Sequence, residues 1–248
     1  MKRLLVICLL LLVIFLSFSY VILKSSANGS EQNYFNQKLR PYFSQFPWMR
    51  SILNLHFDGD GRADYLGSGF EKILIEVDVM DTLSARVPAL QRLASKIEEI
   101  TGKKTSYIIS DREVSYDREL DREAIRRLVE KYRDHKTRGD TATLYMLYGS
   151  RSAEKESLLG QTFEEYGIII FAENLAEKTG DDSTLRTDFE FSTALHEFGH
   201  QLGFAHNSES GCLMNEQAGI HEGYHSGDEI IMDFCDYEKR LLPNLRPR

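Results

Sequence analysis

Residues 196–206 read His-Glu-Phe-Gly-His-Gln-Leu-Gly-Phe-Ala-His, and this stretch constrains the fold more than any other. His196 and His200 stand four residues apart, so a helix over 189–202 places both imidazoles on one face. Gly203 follows three residues later, and a residue without a Cβ lets the chain end its helix and turn sharply. The turn brings His206 back towards the pair. Three neutral imidazoles make an open tetrahedral zinc site with water in the fourth position. Glu197 lies beside the first ligand and is placed to act as general base on that zinc-bound water rather than as a ligand. The His-Glu-x-x-His pattern alone arises by chance in about one protein of this length per hundred. The fixed Gly and third His lower that by a further factor of roughly several hundred, so histidines on a plain helix surface are a poor reading.

A second feature sets the location. Residues 4–23 form an apolar run interrupted only by Ser17, Ser19 and Tyr20. Twenty helical residues span about 30 Å, the hydrocarbon thickness of a bilayer. Lys2 and Arg3 precede the run, which puts the N-terminus in the cytoplasm and the body outside it. Residues 1–24 read as an uncleaved signal anchor, giving a single-pass cell-membrane protein with an extracytoplasmic catalytic domain. The alternative is a signal peptide cut near the small residues Ser25, Ser26 and Ala27, giving a secreted protein. Cys8 lies too early to be a lipoprotein cysteine. The whole chain carries a net charge of −8, and the part after residue 24 keeps 27 basic against 38 acidic residues. No basic excess exists to neutralise phosphates, so nucleic acid is not an expected partner.

Residues 25–68 read as a stalk and lead-in rich in polar residues and aromatics, either packed on the body or lying near the membrane surface. Residues 69–248 read as the catalytic domain. Alternating apolar residues predict strands at 73–79, 105–110, 143–148 and 167–171, with a short edge strand at 158–162. Helical spacing predicts helices ending at Gly102, within 118–135, over 189–202, and a last one carrying Ile230, Ile231, Phe234, Tyr237 and Leu241 behind a Ser226/Glu229 capping box. The fold class is α/β, a layered domain with a mixed sheet. Cys212 and Cys235 are the two cysteines of the body. Outside the cytoplasm they could form a disulfide, stabilising by about 3–4 kcal/mol, or stay two small buried residues that never meet.

Met214 stands eight residues past His206. The extended zinc motif with this methionine resembles the metzincin zinc peptidases. The resemblance implies a zincin-like domain with an active-site helix and a methionine turn, in which Met214 is an apolar floor under the zinc histidines. It further implies one catalytic Zn2+ and a peptide or protein substrate, laid along the edge strand near 158–162. Within the clan the chain is most similar to the archaemetzincins. Their four structural-zinc cysteines fall at Asn207, Cys212, Met232 and Cys235, so two are kept and two are replaced. The resemblance thus implies a divergent member without the second zinc, whose remaining cysteines are free to pair. The matrixins share Phe198-Gly199 and the offset to the methionine, but no propeptide cysteine lies between Cys8 and Cys212.

Weaker signals surround this centre. Asp58, Asp60 and Asp64 sit at the oxygen offsets of a Ca2+ loop with Gly61 at its turn, although His56 holds the first ligand position; the plainer reading is a polar turn. Residues 57–60 also resemble the aspartate switch of astacin-like proenzymes. His221 and His225 read as exposed loop residues, or as groups shaping the primed side of the cleft. The loop 215–227 is expected to wall the specificity pocket, and His135 to be solvated at a helix end. The sequence therefore predicts a zinc metallopeptidase. The competing readings are a zinc-retaining, non-catalytic binding module and a calcium-dependent adhesion domain.

Overall fold

A computed structural model describes residues 2–27, 33–55, 57–81, 83–215 and 230–247. Five strands form one mixed sheet: β1 (Lys72–Val79), β2 (Lys104–Ile109), β3 (Thr141–Gly149), β4 (Gly160–Phe163) and β5 (Gly167–Phe171). Their order is β2-β1-β3-β5-β4. All pairings are parallel except that of β4, which runs antiparallel at one edge. The period of two along each central strand divides the core into two layers. Ile73, Ile75, Leu144, Met146, Ile168 and Ile170 face one layer, where Leu93 and Ile97 of α5 (Val87–Thr101) and Leu195 and Phe198 of α8 (Ser183–Gln201) cover them. Tyr145, Leu147, Ile169 and Phe171 face the other, covered by Ile125, Leu128 and Val129 of α6 (Arg122–Tyr132).

Local chemistry sets most element ends. Gly102 closes α5 in the left-handed conformation, φ 73°. Asp121 caps α6 by accepting from the Ala124 amide at 2.6 Å. α8 starts at Ser183, earlier than the apolar spacing predicts, because Asp182 accepts from the Thr184 and Leu185 amides, both at 2.9 Å. A short helix, α7 (Ala172–Thr179), follows β5 directly and has no counterpart in the sequence reading.

The last helix differs from the prediction. α9 spans Asp236–Leu245, and Ile230, Ile231 and Phe234 precede it in irregular backbone. Its cap is Cys235 with Glu238, whose carboxylate accepts from the Cys235 amide at 3.0 Å. Ser226 and Glu229 lie outside the described residues, as do His221, His225, His56 and most of the loop 215–227.

α1 spans Lys2–Ala27 and is exposed along nearly its whole length. Residues Leu5–Ala27 are long and apolar enough to cross a membrane by length and composition. The lead-in beyond it is helical: a π-helical turn at Phe35–Leu39, then α2 (Arg40–Phe43), α3 (Pro47–Leu53) and α4 (Arg62–Leu66). Buried ion pairs lock this segment. Arg40 Nη1 lies 2.9 Å from Asp60 Oδ2, and Ser44 Oγ donates to Asp60 Oδ1 at 2.9 Å. Arg50 pairs with buried Asp64 and lies 3.7 Å from Glu165 of the body. Tyr65 and Leu66 enter the main core, so the end of the lead-in packs on the body.

Candidate metal centre

α8 carries His196 and His200 one turn apart, as the spacing requires. Gly203 takes φ +91°, the positive-φ turn that the motif needs, and His206 folds back beneath the helix end. The His206 Nε2 stands 3.1 Å from both His196 Nε2 and His200 Nε2. The other ring nitrogens of the pair face carbonyls: His196 Nδ1 lies 2.7 Å from Leu213 O, and His200 Nδ1 2.9 Å from Phe204 O. A carbonyl only accepts, so each Nδ1 carries the proton and each Nε2 presents a lone pair. Three nitrogens this close repel unless a proton or cation sits among them. Tetrahedral zinc at its usual Zn–N length separates ligand nitrogens by about 3.3 Å, so the donor set fits that ion. Burial, reinforced by His200, pushes the His196 imidazole down to about 4, which keeps it neutral near pH 7.

Glu197 is buried on the same helix, facing the cleft. Burial raises its carboxyl above the ordinary glutamate value, while the Thr162 hydroxyl, 2.9 Å from Glu197 Oε2, favours the charged form. Thr162 belongs to the edge strand β4. Gly160 on that strand permits the close approach, since a Cβ there would come 2.5 Å from Thr193 Cγ2 and 3.0 Å from Glu197 Cγ. The cleft, of about 520 Å³, is lined by Leu158, Gly160, Gln161 and Thr162 on one side and the three histidines on the other. It thus runs along an edge strand with backbone groups open to pairing.

Met214 is fully buried and packs under α8. A Cβ on Gly199 would lie 2.4 Å from Met214 Sδ and 3.2 Å from Phe234, so only glycine lets the floor rise this close. Cys212 and Cys235 form a disulfide beside this turn, with Cα atoms 4.9 Å apart. Their sulfurs converge with a carboxylate oxygen of Glu238 but, being bonded to each other, offer no thiolate. Glu238 has no exposed surface. It accepts from the Leu213 amide at 3.2 Å, the Met214 amide at 2.7 Å and the Asn207 side chain at 3.0 Å. One carboxylate therefore holds the methionine turn, the segment after His206 and the start of α9. Neither Glu238 nor the hydroxyl of Thr162 is singled out by the sequence. The signal for Glu238 was a capping box with cysteine in place of serine or threonine, at 235 and 238.

The remaining candidates scatter. Asp58 lines the cleft, with Arg122 Nη2 at 3.7 Å from its carboxylate. Asp60 and Asp64 are engaged by Arg40 and Arg50. Among the described residues no group of converging metal-ligand atoms includes Asp58, Asp60 or Asp64. His135 lies half-buried against the buried carboxylate of Glu76, its Nδ1 3.4 Å away, rather than out in solvent.

No family model and no curated protein matches the chain. Solved structures do. Archaemetzincin from Methanopyrus kandleri is 16% identical, with a TM-score of 0.49 over 72% of this chain and 96% of that one. Archaemetzincin from Archaeoglobus fulgidus, complexed with malonate, is 17% identical, with a TM-score of 0.44 over 68% and 98%. A zinc-dependent peptidase from Methanocorpusculum labreanum is 14% identical, with a TM-score of 0.44 over 68% and 99%. These likenesses are distant, and the convergence of His196, His200 and His206 stands independently of them.

Proposed function

We propose that the chain is a metzincin-like zinc metallopeptidase, a divergent relative of the archaemetzincins, held at a membrane by α1. The observation that carries this reading is the convergence of three imidazoles, with the His206 Nε2 3.1 Å from the Nε2 of both His196 and His200, beside a buried glutamate at an edge-strand cleft. His196, His200 and His206 would hold the metal. An ion bound there would supply a Lewis acid able to polarise a carbonyl and to acidify water. Glu197 accepts the proton of the attacking water and returns it to the leaving amine; its raised pKa suits both transfers. Thr162 holds the carboxylate oriented. The substrate is an extended peptide pairing with β4 by backbone hydrogen bonds. Calcium is not part of the proposal, because Arg40 and Arg50 already neutralise two of the three aspartates it needs.

The catalytic domain is placed outside the cytoplasm. Lys2 and Arg3 ahead of the apolar run support that orientation, and a disulfide next to the methionine turn suits an oxidising compartment. The test uses the full chain in detergent, measuring bound zinc and cleavage of a peptide library by the wild type and by Glu197→Gln. Stoichiometric zinc in both, with cleavage falling by about 10²–10⁴ in the variant, is the expected result. Zinc without cleavage by the wild type would establish a non-catalytic binding module instead. Cleavage that survives the substitution would remove Glu197 from its role.

A further inference from the structure

The lead-in carries a face that the zinc site does not use. Trp48 and Tyr42 are each 59% exposed, and Ile52 and Phe46 are exposed beside them. The rings form a continuous row, with centroids 5.7 Å apart for Tyr42–Phe46 and 6.4 Å for Phe46–Trp48. Trp48 and Ile52 stand four apart on α3 and so share one side of that helix. A contiguous apolar patch of this kind marks an interaction surface.

Two further observations say what covers it. The first is position along α1. Tyr20 donates its hydroxyl to the Ile52 carbonyl at 3.4 Å, and Leu23 packs on the cluster of Phe35, Leu53 and Leu55. Tyr20 lies within the apolar run, three residues or about 5 Å from its end at residue 23. α3 is therefore held level with the boundary between the medium around the run and the medium beyond it. The Lys24 ammonium sits 5.5 Å over the Tyr20 ring at the same level. The second observation is charge. Of the 38 acidic residues only Glu31 precedes Asp58, so α1 and the helices carrying the patch meet an anionic surface with almost no like charge of their own. Tryptophan and tyrosine rings are favoured where hydrocarbon gives way to headgroups, and lysines there reach out to phosphate.

We propose that Tyr42, Phe46, Trp48 and Ile52 form a seat in the headgroup layer of the bilayer that α1 crosses. The seat fixes the height and tilt of the zinc cleft above the membrane, since the buried Arg40–Asp60 and Arg50–Asp64 pairs hold these helices together and Arg50–Glu165 and the Lys103 bond to the Asp64 carbonyl join them to the body. This confines the substrate class to polypeptides that come close to the membrane surface. The inference rests on the reading of α1 as a membrane span.

Trp48 is the only tryptophan, so the full chain reports on the seat directly. The chain is reconstituted into phosphatidylcholine/phosphatidylglycerol vesicles. Tryptophan emission is then read with lipids brominated near the glycerol end, with lipids brominated near the chain end, and with aqueous iodide. Blue-shifted emission, strong quenching by the shallow bromolipid and weak quenching by the deep one and by iodide are expected. Tyr42→Ser with Ile52→Ser should raise iodide quenching and lower bromolipid quenching, while peptide cleavage in detergent stays unchanged. If the chain floats with vesicles but Trp48 responds to iodide and to neither bromolipid, the seat is refuted and the span survives. Protection from all three quenchers would assign the face to a second protein molecule and equally refute the seat. A chain that does not float with vesicles refutes the span itself.

Discussion

The metal centre and the lead-in both bury charge, but they satisfy it differently. At the centre the partners are mostly backbone: carbonyls orient His196 and His200, and three amides orient Glu238. In the lead-in charged side chains pair with one another, Arg40 with Asp60 and Arg50 with Asp64, and backbone carbonyls of Ala27, Asp60 and Asp64 accept further bonds from Arg40, Arg50 and Lys103. Backbone groups cannot swing away, so the centre is preorganised and keeps its lone pairs aimed when the metal is gone. Paired side chains instead clamp one segment to another. The difference separates a site built for geometry from a joint built for attachment.

Removing Glu238 should give the largest effect. Glu238→Ala leaves the buried Leu213 and Met214 amides without an acceptor, at about 1–3 kcal/mol each, and takes the partner of the half-buried Cys235 amide, so stability should fall by roughly 2–6 kcal/mol. Zinc affinity should fall with it, measured by urea unfolding and competition with a chelator. An unchanged zinc affinity would show that the methionine turn holds itself in place. Next comes the joint. Arg50→Met strands two buried carboxylates and should cost about 3–5 kcal/mol, while zinc content and cleavage per folded molecule stay at wild-type values. A loss of zinc in that variant would end the distinction between the two regions.

Gly199→Ala tests the floor alone. The new methyl meets Met214 and Phe234, so overpacking of about 1–3 kcal/mol should appear as a lower Tm and weaker zinc binding. Thr162→Val is the mildest change. Glu197 must be ionised to take a proton, and its pKa is already raised by burial, so kcat/KM falls as pH drops through that raised value. Losing the Thr162 hydroxyl removes a group that favours the charged form. The acid limb should therefore move to higher pH. A limb that moves to lower pH, or not at all, would show that Thr162 has no hold on the base.

The legible parts of the chain were those whose partners lie within a few residues or repeat with a period. His196, His200, Gly203 and His206 act over eleven residues, and the spacing alone predicts their meeting. The central strands and α5 announce themselves by alternation and by Gly102. The start of the last helix was placed too early because its capping box uses cysteine, and the apolar residues 230, 231 and 234 pack without being helical. How the lead-in attaches was left open by the sequence, because Arg40, Arg50, Asp60 and Asp64 are ordinary polar residues until folding pairs them.

By itself the sequence determined that His196, His200 and His206 meet with Glu197 beside them, the apolar run and the alternating α/β order. Each of these depends on helix or strand geometry, which acts locally and is the same in every protein. Only the tertiary structure decided that Cys212 meets Cys235, that Thr162 and Glu238 serve the centre, and that the lead-in is a clamped collar beside α1. Those contacts join residues 23 to 35 positions apart in sequence. Their energies depend on burial and on exact opposition of donors and acceptors, which the one-dimensional pattern does not carry.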